Sequence, residues 1–81
     1  MKIKLFWKEN CSRCPTAKAM MANFNNVEHH NIEEVDGLAE ASFYGVMSTP
    51  SVVVVDDVGK EVSAWYGEVP PLEDLRKCLR Q

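Results

Sequence analysis

At 81 residues the chain has room for one core, and a composition that is 46% hydrophobic and 26% charged suits a soluble globular fold rather than a disordered or low-complexity segment. Nine basic against twelve acidic residues leave a net charge of −3, which argues against nucleic acid or an anionic membrane as a partner. Apolar runs such as Val52 to Val55 fall far short of the roughly 20 residues that a membrane-spanning helix needs.

Lys2 to Trp7 reads as a short strand. A lysine breaks each apolar stretch there, so no apolar signal region forms and a cytoplasmic location is expected. Beyond Pro15, Ala17, Met20, Met21 and Phe24 recur at i, i+3, i+4 and i+7, which makes one apolar stripe on a helix, with the methionines filling core space. Asn23, Asn25 and Asn26 end it. Val27 to Ile32 is a second strand, and Glu33 to Gly37 opens a second helix that carries Leu38, Ala39, Ser42 and Phe43 and closes at Gly45. Ser51 to Asp56, β-branched and nearly all apolar, has the pattern of a strand covered on both faces. A turn through Asp56–Gly59 leads to a strand at Lys60 to Tyr66, giving an antiparallel hairpin. Pro70 and Pro71 start a last helix with Leu72, Leu75 and Leu79 on one face, acids in its first turn and bases in its last.

The order βαβαββα predicts one α/β domain over residues 1–81, a four-stranded mixed sheet flanked by three helices. The first strand of such a sheet is usually central, so Lys2 and Lys4 are expected near its start, beyond the helix cover.

Three cysteines cannot all pair, and a disulfide between Cys11 and Cys14 would close so small a loop that it adds only about 2 kcal/mol as a staple. The pair instead lies between a strand end and a helix start, where a C-x-x-C reads as a redox motif. Pro15, tolerated only in a first helical turn, places that start near Ser12. The helix dipole favours thiolate at Cys11, and so do Lys8 and Arg13, which lower its pKa below that of a free thiol. Cys14 can then attack the Cys11 sulfur and expel a bound partner. The segment from Met1 to Lys18 holds five basic residues and one acid, whereas Ala19 to Leu75 holds eleven acids and one lysine. Such a run also describes an ordinary solvated surface.

A zinc site is the competing reading of the pair. It needs two further ligands, no second C-x-x-C exists, and His29 and His30 would point to opposite faces of a strand. Cys78, beside Leu79 at the edge of the last apolar stripe, reads as a small core residue, with a regulatory or dimer-forming thiol as the other option. Trp7 and Trp65 fit either the core or the rim of a substrate groove.

Cys11-Ser12-Arg13-Cys14 after a strand, Tyr44-Gly45-Val46-Met47-Ser48-Thr49-Pro50 before a β-rich strand, and Gly67 ahead of the last helix together resemble the thioredoxin-like superfamily over essentially the whole chain. The length is similar to glutaredoxins and to small glutaredoxin-sized thioredoxins. The resemblance implies a thioredoxin-like fold in which Pro50 is cis and faces the cysteine pair, while Thr49 pairs with substrate backbone. Ser12, Arg13 and Gly67 complete the candidate substrate contacts. It departs from the family in three places. Ser12-Arg13 is neither Gly-Pro nor Pro-Tyr, Leu5 stands where thioredoxins bury an acid, and Gly67-Glu68-Val69-Pro70 lacks the glutathione-holding pattern of glutaredoxins.

The expectation is a cytoplasmic, monomeric thiol–disulfide oxidoreductase with no cofactor beyond a redox-active Cys11–Cys14 disulfide and no metal. It would reduce protein disulfides and draw electrons from a thioredoxin-reductase-type donor. A redox-inactive binding module and a glutathione-dependent glutaredoxin are the alternatives.

Overall fold

The computed structural model describes residues 1–80; Gln81, the last residue of the expected 1–81 domain, lies outside the described residues. The elements run β1 (Lys2–Trp7), α1 (Cys14–Met21), β2 (Val27–Asn31), α2 (Val35–Phe43), β3 (Ser51–Val55), β4 (Glu61–Trp65) and α3 (Leu72–Leu79). The strands form one mixed sheet in the order β2-β1-β3-β4. β1 runs parallel to β2 and antiparallel to β3, which pairs antiparallel with β4. Among the described residues no helix is long and apolar enough to cross a membrane.

Alternation along the two central strands divides the core. Ile3 and Leu5 of β1, with Val52 and Val54 of β3, pack against Ala17 and Met21 of α1 and Leu75 and Cys78 of α3. On the other face Phe6, Val53 and Val55 pack against Ala41 of α2 and Val46. Every residue of β3 is buried, as its run of four valines favours, and Ser51 at its start is buried as well. Gly45 and Gly59 take positive φ where α2 ends and where the hairpin turns, a conformation that glycine adopts without steric cost. The Asp56 carboxylate accepts the N–H groups of Val58 and Lys60 and fixes that hairpin turn.

Two local readings are corrected. Lys4 does not lie beyond the helix cover: it is buried, with Nζ 2.8 Å from Glu28 Oε1 and 3.3 Å from Glu40 Oε2 of α2, and it lies over the Tyr44 ring. Its apolar stem fills the layer under α2 while two carboxylates meet the charge. Lys2 is exposed and pairs with Glu28 at 2.8 Å. Helix α2 turns Leu38, Ala39, Ser42 and Phe43 outward and buries Gly37 and Ala41. The reason is steric, since a Cβ at Gly37 would run into the Asn31 carbonyl on β2. Helix α1 begins at Cys14 rather than near Ser12, with Pro15 in the first turn, where its missing N–H costs nothing.

Candidate functional site

β1 leaves the sheet at Trp7, and the Trp7 carbonyl accepts the Ile32 N–H at 2.9 Å, which holds this end of the strand against the start of the next connection. The loop that follows is tied by the Glu9 N–H donating to Glu33 Oε1 at 3.0 Å. At Asn10 φ is +58°, a left-handed position that asparagine tolerates better than most residues. The chain then turns through Cys11–Cys14, where the Cys14 N–H donates to the Cys11 carbonyl at 3.3 Å, and enters α1. Cys11 and Cys14 are joined by a disulfide with Cα atoms 5.4 Å apart. Cys14 is buried, whereas Cys11 keeps part of its surface in solvent.

The surroundings of the pair favour negative charge. No acidic residue occupies the first turn of α1, and no side chain caps its N-terminus. The positive end of the helix is therefore left for a thiolate to satisfy. Lys18 lies four residues after Cys14, on the same helix face, and its Nζ sits 3.3 Å from the centre of the Trp7 ring. A hollow of about 400 Å³ opens beside the disulfide, lined by Trp7, Lys8, Cys11, Cys14, Pro15 and Lys18 among others. Ser12 and Arg13 are exposed in the turn. Leu5 is fully buried in the apolar layer beneath α1, so no carboxylate stands at that position.

The register of the sheet sets the second part of the site. Ser51 pairs with Phe6, so Pro50 enters β3 at the end of the sheet where β1 delivers the cysteine loop. The Thr49–Pro50 peptide is cis, Pro50 is fully buried and Thr49 is half-buried. Directly behind them the buried Ser51 hydroxyl donates to the Ser48 carbonyl at 2.8 Å and accepts the Gly67 N–H at 3.0 Å. Gly67 has φ +69°, and a Cβ there would come within 2.8 Å of Ser48 Oγ. One hydroxyl thus ties the segment that carries Thr49 and Pro50 to Gly67.

Three participants carry no signal in the sequence. In sequence Ser51 is the first residue of an apolar strand, and nothing in its spacing marks the bridge it makes. Met47, 93% exposed two residues before Thr49, presents an apolar side chain at the mouth of this loop. The i, i+4 spacing of Cys14 and Lys18 puts Lys18 on the cysteine side of α1, but it carries no signal of the contact with Trp7.

The remaining candidates lie elsewhere. His29 is exposed, and His30 stacks on Phe6 at 5.3 Å with Nε2 3.0 Å from Glu28 Oε1. Among the described residues no three His, Cys, Asp or Glu side chains are grouped to hold a metal ion. Cys78 is part of the core under α3; burial pushes its thiol pKa up, and a hydrogen bond to Ser63 pulls partly back.

The thioredoxin domain family model matches residues 1–80. The chain belongs to the thioredoxin family. It is 33% identical over 63 residues to a thioredoxin of Methanocaldococcus jannaschii, an alignment covering 72% of this chain and 74% of that one. Among solved structures it resembles thioredoxin 1 of Thermosipho africanus, with a TM-score of 0.71, 18% identity, and coverage of 99% of this chain and 91% of that one. It also resembles the C-terminal domain of Neisseria meningitidis DsbD, with a TM-score of 0.70, 16% identity, and coverage of 98% and 78%. The two structures share the thioredoxin-like fold with this chain. Family membership and the Cys11–Cys14 disulfide together support a thiol–disulfide oxidoreductase.

Proposed function

We propose that this protein reduces disulfides of protein substrates by a dithiol mechanism in which Cys11 attacks and Cys14 resolves. The observation that carries the reading is the difference in exposure between the two sulfur-bearing residues at the start of α1, Cys11 reaching solvent and Cys14 buried behind it. In the reduced protein the Cys11 thiolate attacks one sulfur of a substrate disulfide. A Cys11–substrate disulfide forms, and the other substrate sulfur leaves as a thiolate that takes up a proton. Cys14, deprotonated in turn, attacks the Cys11 sulfur and releases the second substrate thiol. Two electrons have passed to the substrate, and the Cys11–Cys14 disulfide remains.

Thr49 and Pro50 dock the substrate backbone in this reading, with Ser12, Arg13 and Gly67 at the edges of the groove. The electrons reside in the cysteine pair itself, and a flavin-dependent, thioredoxin-reductase-type enzyme restores the dithiol. Gly67-Glu68-Val69-Pro70 supports that donor over glutathione, because it lacks a glutathione-holding pattern. Lys8 and Lys18 beside the disulfide favour the opposite choice, since they could hold a glutathione carboxylate.

Two assays test the reading. Insulin reduction with dithiothreitol should accelerate on adding the protein; no acceleration would favour a redox-inactive binding module. NADPH oxidation by the oxidised protein should be efficient with thioredoxin reductase and poor with glutathione plus glutathione reductase. The reverse result would make it a glutaredoxin.

A further inference from the structure

Helix α2 packs on the sheet through its small residues and gives its larger apolar ones to solvent. Gly37 and Ala41 are buried, and Gly37 alone permits the approach to the Asn31 backbone, so rotation of the helix about its axis is blocked. At about 100° per residue, Leu38, Ser42, Val35, Ala39 and Phe43 then occupy one continuous arc on the far side. Val35 is 84% exposed, Leu38 54% and Phe43 78%. An outward apolar arc on so small a protein marks a contact surface rather than ordinary scatter.

Its border is acidic. Glu34 stands at the N-cap position with no side-chain cap hydrogen bond, and Asp36 and Glu40 follow along the Phe43 side. Glu34 and Asp36 make no ion pair among the described residues. A hollow of about 630 Å³ between α2 and β2 is lined by Glu28, His30, Asp36, Ala39, Glu40 and Phe43. Between Ala19 and Gly59 the chain has no lysine or arginine.

We propose that the outer face of α2 docks a cationic amphipathic segment of a partner protein, its apolar side chains seated on Val35, Leu38 and Phe43 and its lysines or arginines against Glu34 and Asp36. A second copy of this face is a poor occupant, because two acidic borders would meet without basic counterparts. The face lies on the opposite side of the sheet from α1, so docking there stands independently of the redox reading.

The test uses the full-length oxidised protein and a synthetic amphipathic helical peptide with leucine on one face and lysine on the other, followed in amide NMR spectra. Saturable shifts concentrated over Val35–Phe43 are expected. The affinity should fall as salt rises, and it should drop by about tenfold or more both for a peptide with glutamate in place of lysine and for the Leu38→Ser/Phe43→Ser variant. Both replaced residues are exposed, so the variant should fold and reduce insulin as the parent does. The proposal is overturned by absence of shifts, by shifts centred on Cys11, or by equal affinity for the glutamate peptide. Sedimentation that shows a dimer lost in the double variant would also overturn it, since a second copy would then cover the face.

Discussion

Ser51 accepts the Gly67 N–H at 3.0 Å, joining the first residue after the cis proline to the loop before α3. The same hydroxyl donates to the Ser48 carbonyl, so one fully buried side chain sets the backbone on both sides of Thr49–Pro50. Ser51→Ala leaves a half-buried N–H without its acceptor and should cost about 1–3 kcal/mol of stability. On the proposed function it should also raise KM for a protein disulfide several-fold. The rate with a small aromatic disulfide, which needs no backbone docking, should hold. Ser51→Thr keeps the hydroxyl and should restore most of the loss. Steady-state kinetics with the two substrate types check this.

Much of the fold is legible in the sequence because its signals are local. The β-branched run of β3, the glycines at positive φ and the βαβαββα order each follow from residue type and spacing, and so does the placement of Cys11 between a strand and a helix. What escapes is set by neighbours distant in sequence. Lys4 reads as a surface residue until Glu28 and Glu40 are brought to it. The residues of α2 do not show in sequence which side of the helix meets the sheet; the closeness of Asn31 to Gly37 decides it. Ser51 shows its part only when β3 and the segment at Gly67 are seen together.

The basic character near the disulfide leads to an electrostatic prediction. Arg13→Glu places an acid in the exposed turn beside Cys11 and should raise the pH at which the Cys11 thiolate forms, by on the order of half a pH unit at low ionic strength and less at high salt. Lys18→Ala should act in the same direction. Titration of thiolate ultraviolet absorbance in the reduced protein measures both. No change with either variant would leave the helix terminus as the source of thiolate stabilisation.

Glu28 links Lys2, Lys4 and His30, and its pKa is lowered to about 2 by hydrogen bonds from Lys2 and then Lys4. A carboxyl whose folded pKa is depressed adds stability above its ordinary value of 4.5 and loses it as the pH falls towards 2. Glu28→Gln should therefore destabilise the protein at neutral pH. With allowance for solvent screening of this partly exposed group, the cost should be about 1–2 kcal/mol. The difference from the parent should shrink through this window and vanish near its lower end. Urea midpoints at neutral and strongly acidic pH test the sign.

Gly37→Ala puts a methyl group into the Asn31 backbone, which cannot move as a flexible side chain would. A loss of about 3 kcal/mol is expected, visible as a lowered denaturation midpoint. A near-neutral effect would mean that α2 can lift from β2 without penalty, and the steric reason given for its outward apolar face would fail.

The most direct measurement concerns the two cysteines separately. Cys14→Ser, reduced and mixed with a disulfide-bonded protein, should accumulate a mixed disulfide through Cys11, identified by intact mass and peptide mapping, because the resolving thiol is gone. Cys11→Ser should form no such adduct and should reduce nothing. Accumulation of adduct on Cys14 in the Cys11→Ser variant, with none on Cys11 in the other, would reverse the roles and contradict the account.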